Sequence, residues 1–139
     1  MALPQYVAFK DDNGNYLSAR TIEGHPYLQF VSTNNRDPTV KNEVFTTHDG
    51  RVRIKSHHFG KFWRLSPNWI WADSEDSSSS NPETVFFTER VDYHAINLRN
   101  MSNNRYCKSL TTEGKSNCLN AAVTLTSRET RLEWEEVTL

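Results

Sequence analysis

Three stretches of the chain share one pattern at nearly constant spacing. Val7-Ala8-Phe9-Lys10, Val52-Arg53-Ile54-Lys55 and Ile96-Asn97-Leu98-Arg99 each read apolar, any residue, apolar, basic, and they begin 45 and 44 residues apart. A polar turn follows each, then a pair that opens on an aromatic: Tyr16-Leu17, Phe62-Trp63 and Tyr106-Cys107, spaced 46 and 44 residues apart. Val44-Phe45, Phe86-Phe87 and Leu132-Glu133-Trp134 close the three units, and Trp134 is matched with Phe45 and Phe87 as a core position. Between units one and two a further set aligns at an offset of 42: Leu28 with Ile70, Phe30 with Ala72, Phe45 with Phe87. The shorter offset follows from extra residues around Thr21-Ile22-Glu23-Gly24-His25.

Helical periodicity is hard to find. Alternation at period two is common, and turn signals such as Asp12-Asn13-Gly14-Asn15, Asp37-Pro38, Asp49-Gly50 and Ser66-Pro67-Asn68 punctuate it. That pattern predicts an all-β chain. Three units of about 45 residues, each with room for four short strands, predict a β-trefoil, because one such unit cannot hide its apolar face alone. A propeller needs a fourth blade, and an immunoglobulin sandwich has no threefold period. The 139 residues make one domain spanning 1–139. The 12% aromatic content separates the chain from disordered sequences.

Composition removes several function classes. Lys plus Arg number 16 and Asp plus Glu 17, so no basic field exists to hold nucleic acid. No apolar run approaches the length of a membrane-spanning helix. The opening Met1-Ala2-Leu3-Pro4-Gln5 lacks the basic and apolar parts of a signal peptide, so a cytoplasmic or nucleocytoplasmic location is expected. In that compartment Cys107 and Cys118 are expected as free thiols.

A search for chemistry finds no phosphate loop, no H-E-x-x-H, no C-x-x-C and no G-x-S-x-G. His57-His58 are adjacent, so on a strand their rings would face opposite sides, and a turn suits them better than a metal. Asp73-Ser74-Glu75-Asp76, followed by four serines, lacks the ligand spacing of a calcium loop and reads as a mobile polar loop. Neither an enzyme, nor a cofactor, nor a metal site is expected.

The tryptophans carry more information. Trp63 matches Leu17 and Cys107 and reads as core. If Leu28 and Phe30 face the core, so do Ile70 and Ala72, and Trp69 and Trp71 then point outward beside Asn68 and Asp73. Two indoles rimmed by amide and carboxylate groups suit a saccharide, whose C–H faces stack on rings while its hydroxyls need planar polar partners. The same pair suits a protein interface, or packing over the end of the barrel. Single-stranded nucleic acid is disfavoured by Asp73, Glu75 and Asp76, which repel phosphate.

Several segments resemble the agglutinin domain of the amaranthin-type plant seed lectins. They are Lys55-Ser56, Lys61-Phe62-Trp63-Arg64-Leu65-Ser66, Ser66-Pro67-Asn68 before Trp69, Asn117-Cys118-Leu119-Asn120-Ala121-Ala122, Tyr27-Leu28-Gln29-Phe30 and Asp37-Pro38. The resemblance runs from Tyr6 to about Glu135. It implies a β-trefoil, in agreement with the threefold period. It also implies metal-free, non-catalytic binding of galactose/N-acetylgalactosamine glycans of the T-antigen type. Carried over residue by residue, the implied site is Ser66, Pro67, Asn68 and Trp69; Trp71 is added by strand alternation. In the amaranthin type the site lies where domains of two subunits face each other, so the resemblance implies that the second half of the site here comes from another copy, as in a homodimer, or is absent. The competing expectation is a protein-binding trefoil of cytoskeletal or inhibitor type.

Overall fold

The computed structural model describes residues 2–138. Unit one holds β1 (Tyr6–Lys10), β2 (Tyr16–Ile22), β3 (His25–Ser32) and β4 (Asn42–Thr46). Unit two holds β5 (Val52–Ser56), β6 (Lys61–Ser66), β7 (Trp69–Ser74) and β8 (Phe86–Asp92). Unit three holds β9 (Ala95–Asn100), β10 (Tyr106–Thr112), β11 (Lys115–Val123) and β12 (Leu132–Glu136). A short 3₁₀ turn precedes the last strand of each unit, at Pro38–Val40, Pro82–Thr84 and Arg128–Thr130. Asp37, Asn81 and Ser127 cap these turns, each side-chain oxygen accepting a backbone N–H two residues on.

Two rings of pairing make the trefoil. Antiparallel contacts run β1–β4, β4–β5, β5–β8, β8–β9, β9–β12 and β12–β1, which closes a six-stranded barrel with no free edge. The hairpins β2–β3, β6–β7 and β10–β11 meet around the threefold axis through Tyr27–Trp71, Trp69–Asn120 and Cys118–Gln29, and form a triangular cap. A register shift recurs at the same place in all three hairpins, between Tyr16 and Leu17, Phe62 and Trp63, and Tyr106 and Cys107. Such bulges bend the strand from barrel into cap.

The core follows the repeat. Val7, Val52 and Ile96 form one layer; Phe9, Ile54 and Leu98 the next; then Leu17, Trp63 and Cys107; Leu28, Ile70 and Leu119; Phe30, Ala72 and Ala121. Volume is traded within layers. Trp63, wholly buried, fills the space that Leu17 and Cys107 leave, against Phe9 at 5.7 Å and Phe86 at 6.1 Å.

The unit ends are matched differently from the sequence expectation. Val7 pairs with Asn42, Val52 with Phe86 and Ile96 with Leu132, so Asn42, Phe86 and Leu132 are the equivalent positions. Phe45 is therefore not the counterpart of Phe87 or Trp134. It is 38% exposed and leans on Phe62 at 5.3 Å, while Trp134 shares the inward position of Val44 and packs partly against the core. The loop after β7 is longer than the loop after β3 and moves the offset from 42 to 44 at the 3₁₀ turns. Asn42, buried in place of an apolar residue, donates to the carbonyls of Val40 and Val7. Tyr16 joins the first unit to the last by donating to Glu135 at 2.7 Å, a bond that pushes its phenol up to about 12.

Cys107 and Cys118 are free, buried thiols. Burial raises the Cys107 thiol well above its ordinary range and pushes Cys118 up to about 11. Neither thiol is expected to react with Ellman's reagent at pH 8 in the native protein, and both are expected to react in denaturant. Prompt native labelling of either would contradict this packing.

Candidate carbohydrate-binding site

Strand parity places the sequence-derived residues as expected with respect to the core. Ile70 and Ala72 enter it, and Trp69 and Trp71 lie on the other face of β7. That face is not open to solvent, which corrects the expectation of two exposed indoles. Trp69 is only 5% exposed and packs with its threefold equivalents Tyr27 and Cys118, together with Ile22 and Leu110, in a second apolar cluster on the face of the hairpins turned away from the core. Of the three readings of these indoles, packing over the end of the barrel describes Trp69.

The cause is hairpin length. Hairpins one and three extend to Ile22–His25 and Thr112–Lys115, two rungs beyond the point where the unit-two hairpin turns at Pro67-Asn68. Their tips are matched Glu-Gly turns in which both residues have positive φ, 54° and 81° at Glu23-Gly24 and 54° and 76° at Glu113-Gly114. A tight turn of this hand suits glycine, whereas a left-handed Glu costs on the order of 1 kcal/mol. The long tips reach over the short hairpin. Glu113 accepts the Trp69 indole N–H at 3.1 Å, and Tyr27 meets Trp69 edge-on at 5.7 Å. His25 stacks flat on Trp71 at 4.2 Å and 10°, so one face of that half-buried indole is taken. The Trp71 indole N–H is shielded and has no partner among the described residues.

Lys115 ties the tips together. Its ammonium pairs with Glu23 at 3.0 Å, donates to the Glu113 carbonyl at 2.8 Å and lies 5.7 Å from the Tyr27 ring. Its hydrogen bond to the Glu23 carboxylate raises the Lys115 ammonium above its ordinary range. Asp73, expected on the rim and in a mobile loop, is instead on β7 and accepts from Arg64 Nε and Nη2, each at 2.8 Å. The Asp76 carbonyl accepts from Arg53, which pins the start of the serine run.

What remains free at this end is the turn itself. Pro67 and Asn68 are exposed. The Asn68 backbone carbonyl accepts the Ala121 N–H at 2.8 Å, so the turn is fixed to hairpin three. The exposed Asn68 carboxamide and the half-buried Ser66 hydroxyl have no hydrogen-bond partner among the described residues, so both keep donor and acceptor capacity on a turn with a fixed backbone. Glu113 and His25, which shape this end, are not in the sequence-derived set. The identical Glu-Gly pairs 90 residues apart were the signal that both outer hairpins share one long tip.

Solved structures share this architecture at low identity. The designed threefold-symmetric protein ThreeFoil superposes with a TM-score of 0.74 at 9% identity, over 96% of this chain and 100% of that one. A salivary protein from Culex quiquefasciatus of the Cysteine and Tryptophan-Rich family gives 0.75 at 13%, over 98% and 96%. Lysenin in complex with phosphocholine gives 0.73 at 14%, and there this chain matches 46% of the longer protein. At such identities the likeness establishes the fold alone. A comparison with curated protein sequences returns no match. The family profile of the Agglutinin domain matches residues 1–132, nearly the whole chain. With the closed barrel, the triangular cap and that match together, the chain belongs to the Agglutinin domain family, a family of carbohydrate-binding lectin domains.

Proposed function

We propose that this lectin domain recognises galactose/N-acetylgalactosamine glycans of the T-antigen type through the Ser66-Pro67-Asn68 turn, reversibly and without catalysis, cofactor or metal. The observation that carries the reading is the pairing of an uncommitted Asn68 carboxamide with a turn whose backbone is fixed by Ala121 and buttressed by buried Trp69. A sugar hydroxyl both donates and accepts, and a carboxamide matches it on both counts. Preorganisation spares the ligand the cost of ordering the loop. Trp69 acts here as a support rather than a stacking surface, and Trp71 offers a ligand only what His25 leaves uncovered.

One such turn is a small contact, so single-site affinity is weak. Agglutination requires two sites per assembly, and the proposal therefore includes a homodimer. A glycan array on the purified domain tests the specificity. Selective retention of galacto-configured glycans is expected. A blank array from folded protein points instead to a protein partner and overturns the reading.

A further inference from the structure

The threefold symmetry supplies an internal control for finding a second site. Where the 3₁₀ turn of one unit meets the first turn of the next, the chain makes three equivalent junctions. In two of them the same bond ties the turns, His57 N–H to the Lys41 carbonyl at 3.0 Å and Met101 N–H to the Val85 carbonyl at 2.9 Å. Each of these junctions borders a cleft, of about 490 Å³ at the first and about 240 Å³ at the second.

The side chains at equivalent positions differ in one direction. The first junction has Arg36, Lys41 and His57. The second has Ser80, Val85 and Met101 in the same places. The third has Thr126, Arg131 and Asp12. There the cations are neutralised, since Arg131 pairs with Asp92 at 2.6 Å and Glu133 at 2.9 Å, and Arg128 pairs with Asp12 at 3.1 Å. In the first cleft neither Arg36 nor Lys41 forms an ion pair among the described residues, although Asp37 and Glu136 also line it. Asp37 is occupied by the Thr39 hydroxyl at 2.7 Å and by Arg20 at 3.9 Å. The loop is set before any ligand arrives. The Asn34 carboxamide oxygen accepts the Arg36 N–H at 2.9 Å, and Asn35 donates to Glu135 at 3.1 Å.

We infer that the Arg36–Lys41–His57 cleft is a second ligand site that takes the oxyanion of an acidic saccharide, a sulfate or carboxylate carried on a sugar. Arg supplies a fork for two oxyanion atoms, Lys a point charge and His a ring donor. The wider cleft leaves room for the sugar ring beside the anionic group. This site shares no residue with the Asn68 turn, so one domain would read a neutral galacto-configured unit and an acidic unit separately. The saccharide half of the inference rests on the lectin reading; the oxyanion half does not.

The test is an amide-resolved NMR titration of the intact chain with lactose, 3′-sulfolactose, 3′-sialyllactose and sodium sulfate, repeated on a variant carrying Arg36→Ser and Lys41→Val. These substitutions install the residues found at the second junction, so the fold already accommodates them there. The expected result is movement of the 34–41 and 57 amides by at least one acidic lactose and not by lactose, with affinity at least tenfold weaker in the variant and in high salt. No movement of these amides, or unchanged affinity in the variant, overturns the site. Equal movement by sodium sulfate at the same concentration overturns its assignment to a saccharide. Lactose-induced movement at residues 66–69 reports independently on the Asn68 reading, so the two can fail separately.

Discussion

Replacing Trp69 with Ala is expected to lower the unfolding free energy by about 3–5 kcal/mol, the usual cost of deleting a buried aromatic. For a domain of this size that corresponds to a fall in melting temperature of roughly 10–20 °C. The loss has two sources. The cluster of Tyr27, Cys118, Ile22, Trp71 and Leu110 loses its largest buried member, and Glu113 loses the indole N–H that it accepts. Urea denaturation measures the change. An indole standing in solvent as a sugar platform would give a change within about 0.5 kcal/mol, so the value separates support from platform. It also means that lost glycan binding in Trp69→Ala does not by itself locate the site.

Trp63→Ala is expected to cost at least as much, about 3–5 kcal/mol, at the centre of the barrel. The two equivalents of Trp63 are small or medium, Leu17 and Cys107, so neither can swell to fill the gap. Phe9 and Phe86 both lose the ring they pack against. The Trp63 indole N–H is buried without a partner among the described residues, a standing cost that the apolar contacts outweigh. Trp63→Phe removes that orphan donor along with part of the volume, so its loss should be less than half that of the Ala variant. Equal losses in the two variants would place the stabilisation somewhere other than ring packing.

The barrel was legible in the sequence because two independent periods agreed. Alternation indicated which residues face inward and the 45-residue repeat how many times the pattern recurs, so Leu28, Phe30, Ile70, Ala72 and Trp63 are core residues in sequence and structure alike. The unit ends were less legible. Asn42 stands where units two and three have Phe86 and Leu132, and a polar residue at a core position broke the apolar match. The serine-rich loop then hid its extra length, having no apolar anchor to align.

The site was half legible. Parity correctly sent Trp69 and Trp71 away from the core, but facing away from one core is not facing water. Whether that side is exposed depends on the relative lengths of three hairpins that are neighbours only around the axis. The matched Glu-Gly tips carried that information, and their consequence, Glu113 on Trp69 and His25 on Trp71, is a tertiary contact that alternation along a single strand does not contain.

A paired experiment on Asn68→Ala bears most directly on how this lectin domain meets its ligand: calorimetric titration with a galacto-configured disaccharide, and urea denaturation of the same samples. The exposed Asn68 side chain makes no hydrogen bond among the described residues, so stability should stay within about 0.5 kcal/mol of the parent while affinity falls tenfold or more. Undiminished affinity in a fully stable Asn68→Ala protein would contradict recognition at the turn.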